Sequence, residues 1–312
     1  MGVNDLSENG LFGWASSLFD NTEGFDQKVD CVYENADKYT AGDREIKDLV
    51  ESIFIDYQSG SVEVVNGDSD VLEVKELAGY ELDEEHRVHT FVDGKVLYIQ
   101  FCACGRGFDF SKSRKQLEVI LPAGKALTSL SVKTTSGIIR LDKLEAQAFT
   151  VSSASGNVTA ALKGRKINVS NASGNIMLEQ KGDSEEVVLK AASGALELNM
   201  DNSERVTATT ASGYVNVNAG KIGKLYASTA SGQCSATLAQ MPAETSLHTS
   251  SGRITACLPE EPNVTANIHS SSGRFVTGIA MTQNGDVFTC GTGENKMDIS
   301  TSSGDIRVFS KE

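Results

Sequence analysis

Ten serines stand immediately before a glycine, and a serine that keeps one local setting is a candidate nucleophile. Nine of the pairs are closely spaced: Ser136-Gly137, Ser155-Gly156, Ser173-Gly174, Ser193-Gly194, Ser212-Gly213, Ser231-Gly232, Ser251-Gly252, Ser272-Gly273 and Ser303-Gly304. An isolated earlier copy is Ser59-Gly60. A nucleophile is needed once, however, so a tenfold recurrence describes a structural ladder and not a catalytic centre. The other candidates for chemistry are histidines. His248 and His269 each stand four residues before a repeat glycine. Sequential stacking would put them in neighbouring rungs, roughly 5 Å apart on the outer face. They are therefore the candidates for a metal or pH-sensing pair. Two imidazoles without a carboxylate make a thin ligand set, so no metal and no other cofactor is expected. In His86-Arg87-Val88-His89, strand alternation would place the two rings on opposite faces.

The remaining reactive residues form no constellation. Cys31, Cys102, Cys104, Cys234, Cys257 and Cys290 match no zinc spacing, and Cys102-Ala103-Cys104 is not a C-x-x-C. Six cysteines in 312 residues are too sparse for a disulfide scaffold, which leaves room for one or two bridges in an exported chain. Carbohydrate-cleaving β-helices need paired carboxylates on an exposed face. Here Asp142, Glu145, Glu179, Asp183, Glu185 and Glu186 fall near turns in no fixed register. GRGFDF at 105–110 and GTGENK at 291–296 lack the P-loop and dinucleotide-binding spacings. The chain thus reads as a non-enzyme with no catalytic residue. A net charge of −14 excludes nucleic acid as an expected partner, because phosphate binding needs clustered Lys and Arg.

The elements that carry these residues follow from the repeat itself. Successive glycines from Gly137 to Gly304 are 19, 18, 20, 19, 19, 20, 21 and 31 residues apart. Before each glycine the apolar residues sit at odd offsets, as in Phe149/Val151 and Ile167/Val169. After it they sit at even offsets, as in Ile176/Leu178 and Val215/Val217. Period two is the signature of a strand with one buried face. The parity change places a corner at each glycine, which reaches φ > 0 without a Cβ clash. About 19 residues are too few for a strand–helix–strand unit or a propeller blade. The fold expected is all-β, a right-handed parallel β-solenoid (a β-helix) with rungs of about 19 residues. Residues 1–45 read as an N-terminal cap or tether containing Trp14, and 46–312 as the solenoid domain. Longer strands are expected at 46–121 and regular rungs at 122–277. A hairpin at Asn284-Gly285 and a final rung fall within 278–312.

The units ASGNV, ASGNI, SSGRI and SSGDI, the segment LEVILPAG at 117–124 and the opening SIFIDYQSGSVEVVNGDSD at 52–70 resemble the bacterial DUF4097 family of candidate adhesins. The resemblance covers about residues 46–310. It implies a β-solenoid, commonly the outward-facing ectodomain of a membrane-anchored protein. Some members of that family are intracellular and linked to envelope stress. The family has no established catalytic residue, so none is carried over. On this basis the chain is expected to be a cell-surface scaffold or adhesin-like module, monomeric, binding a protein or glycan. Contact with the membrane would come only through an N-terminal anchor outside this sequence. The alternatives are a cytoplasmic scaffold that self-associates and, third, a carbohydrate-active enzyme.

Overall fold

The computed structural model describes residues 31–106 and 115–310. Trp14 with the first 30 residues, and residues 107–110 of GRGFDF, lie outside them. The chain forms two compact units, 1–162 and 163–312. Among the described residues are 24 strands and two single-turn 3-10 helices. Pairing is largely parallel in the second unit and mixed in the first, where the stacked rungs pair in parallel, the solenoid architecture implied by the repeat.

In the second unit, the strands Ile176–Ser193, Leu196–Ser212 and Val215–Ser231 run 18, 17 and 17 residues, from one glycine corner to the next. The return between corners is therefore not a turn that leaves the ladder. It keeps its pairing, as in Asn202↔Lys221 and Ser203↔Ile222. In consequence the longest strands belong to the regular stack and not to 46–121, where the longest has 7 residues. Equivalent side chains lie directly over one another: Leu178↔Leu198, Leu198↔Val217, Val217↔Ala236, Ala236↔Ala256 and Ala256↔Val308. All six are at most 1% exposed. Each larger member of such a column contributes roughly 1.5–3 kcal/mol of burial before entropy is counted.

The corners explain why glycine is obligatory. At Gly213 and Gly232 the backbone has φ +130° and +140°. A Cβ there would lie 2.2 and 1.9 Å from the carbonyl oxygen of the glycine one rung below. Close backbone approach, as well as positive φ, thus excludes any other residue. At four corners the threonine three residues before the glycine secures the turn. Thr210, Thr229, Thr249 and Thr301 donate to the carbonyls of Gly194, Gly213, Gly232 and Gly252 at 3.0–3.3 Å. All four threonines are buried, so these bonds form out of water.

Rung order departs from chain order in both units. The strand Asn295–Ser303 lies between Glu244–Ser251 and Val264–Ser272, pairing in parallel with each. The last repeat in sequence is therefore the penultimate rung in space. The 31-residue interval makes this exchange. Its hairpin, Thr282–Asn284 with Val287–Cys290, lays Val287–Cys290 antiparallel on Val264–Ser272. In the first unit, Ser52–Asp56 lies between Val96–Gln100 and Ala126–Ser136. Ser61–Asn66 likewise lies between Lys115–Leu121 and Ile139–Ser155. Gly60, the isolated copy, donates its N–H to Ser136 O at 3.0 Å and joins the corner stack there. Antiparallel strands Leu72–Ala78 and His89–Asp93 then pair with Lys115–Leu121 and Val96–Gln100. Open strand edges recruit foreign strands, and an antiparallel partner blunts them.

A charged pair is buried among the described residues of the first unit. Lys115 and Glu76 side chains are 1% and 2% exposed and 2.8 Å apart. Lys115 Nζ also donates to the carbonyls of His86 and Phe101, at 2.6 and 2.7 Å. It sits 3.9 Å from the Phe101 ring centroid. Glu76 accepts from Tyr57 Oη at 2.7 Å and Val88 N at 2.8 Å. Each charge thus has a full set of partners, the condition for tolerating it out of water.

Candidate ligand-binding groove

Because strands stack in register, outward side chains form columns across the second unit. One column is charged: Lys166, Glu186, Arg205, Lys224, Glu244 and Lys296 stand on successive rungs. The next column runs Thr207, Tyr226, Ser246, Asp298 and Asn267, and the next Thr209, Ser228, His248, Ser300 and His269. A groove of about 720 Å³ opens along the first two columns, lined among others by Arg205, Lys224, Tyr226, Glu244, Lys296 and Asp298.

The groove offers hydrogen-bonding groups of both kinds around one aromatic ring. Lys224 Nζ is 2.9 Å from Glu244 Oε2, and its donation holds the Glu244 carboxyl below the ordinary carboxylate value. Asn267 Nδ2 donates to Asp298 Oδ2 at 3.1 Å. Tyr226 is 37% exposed, and its ring tilts toward His248 with centroids 6.0 Å apart. Thr245 also lines the groove. It is 3% exposed, and its Oγ1 has no hydrogen-bond partner among the described residues. Its in-register neighbours Leu225 and Met297 are buried, so its side chain lies on the core face of the strand, opposite Tyr226 and Ser246.

His248 and His269 are not neighbours. The rung of Ser300 stands between them, because the last repeat inserts there. His248 Nδ1 lies 2.6 Å from Ser300 Oγ, and Nε2 lies 2.6 Å from Ser246 Oγ and 3.7 Å from Asp298 Oδ1. The arrangement resembles a Ser-His-Asp set only in composition. Each ring nitrogen is taken by a serine, and Asp298 at 3.7 Å is beyond hydrogen-bond reach, so no carboxylate orients the imidazole toward either hydroxyl. His269 faces Asp286 of the hairpin instead, at 3.7 Å. No cluster of three or more metal-ligating side chains occurs among the described residues. His86 lies in the 3-10 turn Glu84–His86 and His89 begins a strand, so the two do not share one strand as expected.

The serines of the ladder are in register: Ser136 with Ser155, and Ser173, Ser193, Ser212, Ser231, Ser251, Ser303 and Ser272 in that spatial order. They stand at the corner, while two positions earlier Thr210, Thr229, Thr249 and Thr301 make the buried bonds to glycine carbonyls. Of the carboxylates, Glu179 and Asp201 both reach Lys181, at 2.9 and 4.0 Å. Both are about half exposed, and the ammonium lies between them. This is a surface ion-pair arrangement, not an enclosed acid–base pair.

Sequence reasoning missed Tyr226 and Lys224. Their even offsets from Gly232 mark them as outward-facing, but the columns they join depend on rung order.

No protein of curated function matches the chain. Among solved structures, a candidate adhesin from Bacteroides fragilis is 13% identical, with a TM-score of 0.45 over 87% of this chain and 97% of that one. A candidate adhesin from Parabacteroides distasonis is 13% identical, with a TM-score of 0.43 over 88% and 97%. A candidate lipid-binding protein from the same organism is 17% identical, with a TM-score of 0.37 over 88% and 97%. At this level of likeness none of these names transfers. The sequence itself is more telling: residues 50–309 match the family described as Toastrack DUF4097, and the chain belongs to that family.

Proposed function

We propose that the protein is a non-enzymatic, adhesin-like binding module of a bacterial envelope, and that the groove of the second unit holds a glycan. The observation that carries this reading is the conjunction in one groove of an exposed tyrosine ring, a column of charged side chains and the Asp298–Asn267 pair. Sugars present apolar ring faces and many hydroxyls, and an aromatic platform with paired donors and acceptors complements both. Repetition supports a binding role, since a column of side chains repeating at about 4.8 Å meets an extended ligand along its length.

No helix among the described residues is long and apolar enough to cross a membrane. The test is a panel of immobilised polysaccharides, probed with the wild type and with Tyr226→Ala. Retention of a polysaccharide by the wild type, weakened about tenfold or more in the variant, supports the proposal. Equal retention by both, or release of new reducing ends from the bound polysaccharide, would reject it.

A further inference from the structure

The first unit holds a second feature that the groove does not use. Cys31 and Cys102 are 7% and 2% exposed, and their Sγ atoms lie 3.2 Å apart although 71 residues separate them. The surrounding backbone already holds them together. Cys31 N donates to Arg106 O at 3.1 Å, Gly105 N donates to Cys31 O at 2.7 Å, and Tyr33 Oη donates to Cys102 O at 2.8 Å. A disulfide needs its sulfurs at about 2.05 Å, so closure requires an approach of about 1.2 Å within a contact already formed.

We propose that Cys31 and Cys102 are a disulfide site, oxidised by a low-molecular-weight disulfide, and that the bond fastens the segment at 31–33 to the end of the first unit. Two buried thiols could instead be small apolar side chains in contact. Three features favour oxidation. The sulfurs face each other at 3.2 Å, nearer than Arg106 O, which lies 3.9 Å from Cys102 Sγ. The contact with Cys31 lowers the Cys102 thiol, against the opposing effect of burial. The Lys115 ammonium lowers it further, opposed by the Glu76 carboxylate, which leaves Cys102 as the thiol placed to attack.

The Cys102 thiolate attacks one sulfur of the small disulfide, forming a mixed disulfide and releasing one thiolate. Cys31 then loses its proton to solvent and attacks the Cys102 sulfur. That step forms the Cys31–Cys102 bond, breaks the mixed disulfide and releases a second thiolate. The two cysteines lose two electrons, the small disulfide gains two, and the two protons end on the released thiols. Cys104 is the competitor: it is half-buried, with its Sγ 3.8 Å from Tyr33 O.

The experiment uses the full chain in oxidised glutathione, with and without later reduction. Free thiols are alkylated and the peptides are mapped by mass. The expected result is a linked peptide pair joining Cys31 to Cys102, with Cys104 alkylated. The melting temperature should rise by several degrees, reversibly on reduction. Cys104→Ser should keep the rise and Cys31→Ser should lose it. Should Cys31→Ser fail to fold, the wild-type map decides alone. Alkylation of both Cys31 and Cys102 after oxidation, or linkage of either to Cys104, overturns the proposal. Neither outcome bears on glycan retention, so this site and the groove stand or fall separately.

Discussion

Ser300 Oγ lies 2.6 Å from His248 Nδ1, across 52 residues of chain, in the rung that separates His248 from His269. This contact exists because the last repeat turns back and inserts under the hairpin. It converts a histidine pair expected from spacing into two histidines with unrelated partners.

The insertion makes the C-terminal rung structural on both of its sides. Removing residues 292–312 would strip a parallel partner from both Glu244–Ser251 and Val264–Ser272. In a solenoid stacked in chain order, the same deletion would remove only an end rung. The truncated chain is expected to aggregate or to lose cooperative unfolding, as read by light scattering and a urea transition. A soluble monomer with a single sharp transition would contradict the inserted order.

The corner glycines differ in kind from glycines in open turns. Gly232→Ala places a Cβ 1.9 Å from the Gly213 oxygen at φ +140°, so the stack must shift. The expected cost is about 3 kcal/mol or more, from strain and a displaced rung together. Gly124 also has positive φ, at +66°, but a Cβ there meets nothing within 4 Å. Gly124→Ala should cost only about 1 kcal/mol. Urea midpoints of the two variants compare them directly.

The buried Lys115–Glu76 pair predicts strong coupling. Lys115→Met alone leaves Glu76 with an uncompensated charge and should cost about 3–5 kcal/mol. Combining it with Glu76→Gln removes that charge while keeping an acceptor for Tyr57 or Val88. The double variant should therefore be more stable than Lys115→Met alone. Additive losses would show that the two groups act independently.

Asp56 gives a pH dependence. Burial raises its carboxyl above the ordinary 3.8, opposed in part by Lys133 at 3.5 Å. The folded chain thus binds this proton more tightly than the unfolded chain. The resulting stabilisation is complete below 3.8 and is lost as pH rises through the raised folded value. Asp56→Asn should flatten that slope in urea titrations across the acidic range. An unchanged slope would assign it to other groups.

Much of the fold was legible because its determinants are local. The period-two alternation around each glycine gives the strands, and the parity switch gives the corner, as at Val169 and Ile176 around Gly174. Rung order was not legible. Gly60 and Gly137 stack across 77 residues, and Gly252 stacks on Gly304 rather than Gly273. Long-range parallel pairing leaves no signature in spacing, since any rung presents the same edge to any other. The groove inherits this blindness: Tyr226 and Asp298 share a column only after the insertion is known.

The groove around Tyr226 is proposed to bind a glycan without cleaving it. The most direct measurement is the retention of wild type and Tyr226→Ala on the polysaccharide panel, with reducing ends assayed in the same wells. The expected result is wild-type retention of at least one polysaccharide, weakened at least about tenfold in the variant, near 1.4 kcal/mol, with no new reducing ends. Retention that is indifferent to Tyr226, absent for every polysaccharide, or accompanied by cleavage would contradict it.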